Sequence, residues 1–173
     1  MRVNDQRGSI LVYSLLLLAF TITISLTMQS AALMEYKMSL YEHRSNQARE
    51  LAESAAWMVL EEINMILRDD FTYLQELPEQ IILDHWESTV FCEQGKTEVS
   101  SIHREHQEQD FCTYSYTCSG SYKGAEKTLY IKALICFDEY YYLQIDADGN
   151  LHTVFSYRDF VDRGRFITFE EVE

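Results

Sequence analysis

Between Ser9 and Met34 there is no charged side chain, and between Ser9 and Arg68 there is neither a glycine nor a proline. The first absence excludes an ordinary surface helix, whose outer face needs charge. The second leaves no turn signal anywhere in the stretch. Pro78 is the only proline and glycine occurs six times in 173 residues, so breaks in regular structure are few. Basic residues are scarce as well: 14 Lys and Arg stand against 28 Asp and Glu, a net charge of -14. Phosphate binding needs clustered Lys and Arg, so nucleic acid is not expected as a direct ligand. There is no nucleophile elbow and no phosphate loop, and the acidic pairs Glu61-Glu62 and Asp69-Asp70 are chain neighbours rather than converging carboxylates. No enzymatic activity and no cofactor are expected from such a pattern.

What is present begins with Arg7-Gly8-Ser9-Ile10-Leu11-Val12-Tyr13 and the apolar run that follows. About 20 apolar residues at 1.5 Å each cross the hydrocarbon core of a bilayer. Arg2 and Arg7 before the run favour a cytoplasmic amino terminus and send the carboxyl end outward. Thr21, Thr23, Ser25 and Thr27 are tolerable within the run because each hydroxyl can bond back to its own helix. Three fates compete for this segment: cleavage beyond the run at Ser30-Ala31-Ala32, retention uncut as a signal anchor, or cleavage before it, after Gly8.

The pattern beyond the run favours keeping the helix. Ala48, Ala52, Ala55, Val59, Ile63 and Ile66 recur at spacings of three and four and form one apolar stripe. Arg49, Glu50, Glu53, Glu61 and Glu62 lie opposite, with Arg49 and Glu53 spaced to pair. One helix over residues 9–68 is therefore expected, its apolar half at 9–34 and its amphipathic half at 35–68. Pro78 marks the end of the helical region. A head over 79–173 follows, with residues 93–110 reading as a solvated loop.

From Phe111 the character is that of strands. Phe111 to Cys118 forms the first and Ser119 to Gly124 a turn; Leu129, Ile131, Ala133, Ile135 and Phe137 give a second strand one apolar face. Tyr140–Ile145 and Leu151–Tyr157 flank Asp146-Ala147-Asp148-Gly149-Asn150, a hairpin turn signal. A short strand through Phe166 and Phe169 closes the chain. An antiparallel sheet of about four strands needs a cover for its apolar face, and the alanine-lined helix is available. The fold class is α+β.

A basic leader ending in Gly8, a retained apolar helix that becomes amphipathic, and a carboxyl-terminal antiparallel sheet together resemble the type IV pilin and pseudopilin superfamily. The stretch Asn46-Gln47-Ala48-Arg49-Glu50-Leu51-Ala52-Glu53-Ser54-Ala55-Ala56 is similar to that of minor pilins of the PilX and pseudopilin K kind. The resemblance covers about the first 65 residues. It implies residues 1–8 as a leader, cleavage between Gly8 and Ser9 by a membrane-bound prepilin peptidase, and N-methylation of Ser9. Partners implied are other pilins or pseudopilins through the amino-terminal helix, an inner-membrane assembly platform, and membrane lipid before assembly. The location implied is the bacterial cytoplasmic membrane, in a single pass with the carboxyl terminus outside, and then a pilus or pseudopilus at the cell surface. Tyr13 departs from the family, where major pilins carry Glu; a lone carboxylate in hydrocarbon makes sense only where a neighbour's ammonium pairs with it. Tyr13 points to a minor subunit, tip-associated or initiating assembly. The alternatives are a single-pass membrane-anchored binding protein without a filament role, and a competence pseudopilin for DNA uptake.

Cys92, Cys112, Cys118 and Cys136 all lie beyond the run. Four cysteines in an exported segment are compatible with two disulfides in any of three pairings, or with reduced, partly buried thiols. A hairpin centred near Gly124 would set Cys112 against Cys136 and leave Cys118 for Cys92. Cys92, His103, His106 and Cys112 lack the close spacing of a zinc knuckle, and Asp146, Asp148 and Asn150 fit a hairpin turn better than a calcium loop. Tyr140, Tyr141 and Tyr142 read either as a partner-binding patch or as plain strand composition.

Overall fold

The computed structural model describes residues 4–83, 95–147 and 149–172. Helix α1 spans Asn4–Asp70, and the chain divides into two compact units, Met1–His43 and Arg44–Glu173. Within the first unit, residues of the apolar run are exposed on every side of the helix. No charged or buried stripe breaks that pattern, as a lipid-facing segment requires.

In the second unit the expected stripe is the buried one. Ala48, Ala52, Ala55, Val59 and Ile63 are fully covered, joined by Ala56, Leu60 and Leu67, and Ile66 is partly covered. On the other side Arg49 Nε pairs with Glu53 at 2.9 Å, the anticipated spacing. The stripe packs against a seven-stranded antiparallel sheet, giving the α+β layout of a pilin-like fold.

The strands are β1 (Gln80–Ile81), β2 (Gly95–Val99), β3 (Ile102–Gln107), β4 (Phe111–Tyr122), β5 (Ala125–Ile145), β6 (Leu151–Phe160) and β7 (Arg165–Val172). Strand β4 pairs with β2 and β3 along one edge and with β5 along the other, while β5 also pairs with β7 and then with β6. Alternation sends Cys112, Tyr114, Tyr116 and Cys118 of β4 and Leu129, Ile131, Ala133, Ile135 and Phe137 of β5 into the core. The Tyr116 hydroxyl donates to the Ala56 carbonyl at 3.0 Å and ties sheet to helix.

Five expectations need correction. Residues 95–107 hold two strands rather than part of a loop; of β2 and β3 only Gly95, Thr97 and Ile102 are buried, so their polar outward residues hid the period. The two segments at 129–137 and 140–145 are one 21-residue strand, because Asp138-Glu139 between them carries no turn-forming backbone. The first turn is narrower than 119–124: β4 continues to Tyr122, and Lys123 and Gly124 alone turn the chain, both with positive φ as a type I′ hairpin demands. The sheet has seven strands among the described residues rather than about four. Helix α1 ends at Asp70, two residues beyond the expected end, and residues 71–79 form an irregular link.

Gly120, first read as part of that turn, is a packing residue. It follows Cys118 on the inward face of β4, and a Cβ there would overlap the Ala48 carbonyl oxygen and stand 2.7 Å from the Ala52 nitrogen. Both obstacles are helix backbone, which cannot rotate aside. Gly120→Val is expected to destabilise the second unit by about 2 kcal/mol through overpacking. Denaturant unfolding of the detergent-solubilised chain checks this, and an unchanged midpoint would refute the close approach.

Candidate functional site

Two exposed apolar surfaces stand out, the run at the start of α1 and a ribbon formed by β5 and β6. In the run, every hydroxyl with an assigned partner bonds back to the helix. Ser14 donates to Leu11 O at 2.9 Å, Thr21 to Leu18 O at 2.8 Å, Thr23 to Phe20 O at 2.8 Å and Thr27 to Ile24 O at 2.8 Å. Their polarity is thereby spent inside the helix, which is the condition for residence in hydrocarbon. The window of highest hydropathy averages 2.2 over 18 residues with none of it buried, so α1 is long and apolar enough to span a membrane. Tyr13 is 71% exposed on this surface. Gly8 and Ser9 lie inside α1, so the bond between them is helical rather than extended, and a peptidase acting there has to unwind the first turns.

The ribbon joins residues 137–145 of β5 to 151–160 of β6 around the Asp146–Asn150 turn. That turn behaves as the plain hairpin expected: Asp146 Oδ1 accepts the Asn150 amide at 2.8 Å, its Oδ2 lies 2.7 Å from His152 Nε2, and Gly149 has φ 87. Asp148 lies outside the described residues. Tyr140 stacks on Tyr157 with ring centroids 4.5 Å apart, and Tyr141 meets Phe155 edge-on at 5.8 Å. Tyr140, Tyr141 and Tyr142 are each about half exposed, as are Leu143, Ile145 and Leu151 or more so. A two-stranded ribbon alone is marginal in water, and these cross-strand ring pairs are what stabilise it.

Arg158 anchors the base of the ribbon, and no local pattern marks it for that role. Its side chain is fully buried beside Glu139, which is 12% exposed; its Nε lies 3.1 Å from Glu139 Oε1, and its Nη2 pairs with the same oxygen. It also donates to Leu74 O at 3.2 Å and Gln75 O at 3.0 Å, while its guanidinium sits 4.6 Å from the Phe137 ring centroid. The Arg158 backbone amide donates to Thr72 O at 2.7 Å. Arg158 thus pins the first part of the irregular link after α1 to the sheet, and Arg104 and Tyr114 hold its end through the Leu77 and Pro78 carbonyls. Arg158→Ala strands a nearly buried carboxylate and two carbonyls, with an expected loss of about 3–5 kcal/mol. Faster proteolysis within residues 71–79 accompanies that loss if the anchoring is right; an unaltered cleavage rate would contradict it.

The predicted Cys112–Cys136 bridge does not form. The hairpin is the expected one, but its register pairs Cys112 with Ile135 and Cys136 with Phe111. An offset of one residue puts the two thiols on opposite faces of the sheet. Cys112, Cys118 and Cys136 are free thiols, and Cys92 lies outside the described residues. Among the described residues no group of three or more His, Cys, Asp or Glu is placed to hold a metal ion. The zinc set fails on the same geometry: Cys112 is in the core, whereas His103 engages the Ser101 hydroxyl at 2.8 Å and His106 engages Glu108 at 3.0 Å.

Burial pushes the Cys112 and Cys118 thiols from 9.0 up to about 12, and burial with the nearby Asp162 carboxylate also raises that of the more exposed Cys136. A raised thiol pKa favours the neutral form in the folded chain, so its stabilising contribution is complete below the unfolded value and is lost as pH climbs through the folded one. Stability is expected to fall between pH 9 and about pH 12 for this reason. Alkylation of the folded chain, read by peptide mass mapping, modifies Cys136 before Cys112 and Cys118; the reverse order would contradict the burial.

Comparison with protein-family models, curated proteins and solved structures gave no match.

Proposed function

We propose that this chain is a minor subunit of a type IV pilus-like or type II secretion-like filament, tip-associated or initiating assembly. One observation carries the reading: an uncharged helical run, preceded by Arg7-Gly8, continues in the same helix into an alanine stripe packed on an antiparallel sheet. A simple anchor needs no such continuity. A subunit that is first held in lipid and then packed against other helices does, because the surface that faces lipid is the surface that later buries itself against neighbours.

On this reading the run inserts in the bacterial cytoplasmic membrane with the carboxyl terminus outside. Prepilin peptidase cuts after Gly8 and methylates Ser9, and an inner-membrane platform extracts the chain into a pilus or pseudopilus. Tyr13 offers no carboxylate to a neighbouring ammonium, which suits a subunit that has none docked above it. The chain has no catalytic task. The exposed Tyr140–Ile145 ribbon is the observation that favours the second reading, a single-pass membrane protein that binds a partner without a filament. DNA uptake through a competence pseudopilus is compatible with the architecture, with another subunit supplying the positive charge that this one lacks.

Co-expression with a prepilin peptidase separates these readings. Intact-mass and amino-terminal analysis should find N-methyl-Ser9 at the amino terminus, and Gly8→Val should leave the chain uncut because a branched side chain obstructs the site. An uncut Met1 in the parent chain, or a new terminus at Leu33, overturns the filament reading.

A further inference from the structure

Tyr13 has a counterpart at the other end of the run. Tyr36 lies just beyond Met34, between Glu35 and Lys37, and is 66% exposed against 71% for Tyr13. Tyrosine is an amphipathic ring that settles at the boundary between hydrocarbon and headgroups. At 1.5 Å per residue the two rings stand about 35 Å apart along the helix, or about 32 Å across a bilayer at an average tilt of 20°. A hydrocarbon core is about 30 Å thick.

We infer that Tyr13 and Tyr36 are paired interfacial anchors that set the depth of α1 in a lipid bilayer. The inference rests on the membrane-spanning reading of the run and adds its register. Residues 14–34 then cross the hydrocarbon, with Glu35 at the outer boundary beside Tyr36 and the helix centre near Ile24. The amino terminus, whether extended by Arg7 or cut to the Ser9 ammonium, stands about one turn outside Tyr13 and reaches water.

A competing register places Ser9 to Met28 in the hydrocarbon and sets Gln29-Ser30 at the outer boundary. It spares the uncharged Gln29 amide from burial. In exchange it leaves Ala31, Ala32, Leu33 and Met34 in water, sinks Tyr13 about 6 Å below the boundary, and carries Tyr36 about 10 Å beyond the other. One amide against four apolar side chains and two misplaced rings favours the tyrosine-bounded register. The two registers differ in their midpoints, near Ile24 in one and near Leu18 in the other.

The full chain reconstituted in phosphatidylcholine vesicles distinguishes them, with lipids brominated either near the headgroup or near the methyl end of the acyl chains. Leu18→Trp and Ile24→Trp serve as separate reporters, and the parent chain, with Trp57 and Trp86 beyond the run, gives the background. The anchored register predicts that deep bromines quench Ile24→Trp more than Leu18→Trp. Adding Tyr13→Leu and Tyr36→Leu should lower the deep-to-shallow quenching ratio at Ile24→Trp by about twofold as the helix loses its fixed depth. Stronger deep quenching at Leu18→Trp, or a ratio unmoved by the leucines, overturns the anchoring while leaving the span intact. Absence of quenching at both reporters overturns the span itself.

Discussion

Helix α1 and strand β4 approach each other so closely at Ala48, Ala52 and Gly120 that only hydrogen and methyl groups fit between them. The rest of the second unit follows from that spacing. Small residues on the helix let the sheet lie against it, and larger ones further along, Val59, Ile63 and Leu67, pack into the same core with residues of β4 and β5. Close-packed interiors tolerate few voids, so narrowing at one end of the stripe and bulk at the other fix where the sheet sits along the helix. The hydrogen bond from Tyr116 to the Ala56 carbonyl holds the same seam at its middle.

The helix meets a different demand between Ser9 and Met34. There its surface carries no charge and is exposed on all sides, and the hydroxyls of Ser14, Thr21, Thr23 and Thr27 are returned to its own carbonyls. Water is the wrong solvent for such a surface, while lipid or the like surface of another helix is the right one. Two solvents read one uninterrupted secondary structure, and the absence of glycine and proline between Ser9 and Arg68 is what lets the element serve both.

Where side chains alone determined the outcome, the sequence was legible. The alanine stripe, the Arg49–Glu53 pair, the inward face of β5, the Asp146–Asn150 turn and the tail strand through Phe166 and Phe169 all follow from local periodicity. Pairing partners were harder. Strands β2 and β3 are polar outside and bury only Gly95, Thr97 and Ile102, so nothing local distinguishes them from a loop. The thiol geometry turns on one residue of register, which the position of the turn in the sequence does not specify. Arg158 is the clearest limit: a lone arginine between Tyr157 and Asp159 has no local mark of burial, because its partners come from β5 and from residues 74 and 75, far away in the chain.

The run and the ribbon are two extended exposed apolar surfaces of the described residues. On the proposed reading, the run would supply cohesion to lipid and to other subunits, and the tyrosine-rich ribbon would be left for contacts that a terminal subunit makes with something other than its own kind. The most direct test is to count this chain, with isotope-labelled peptide standards, in filaments sheared from cells. A tip or initiating subunit predicts a few copies per filament. Amounts equal to the main repeating subunit, or retention in the membrane with none in the filament fraction, would contradict the account.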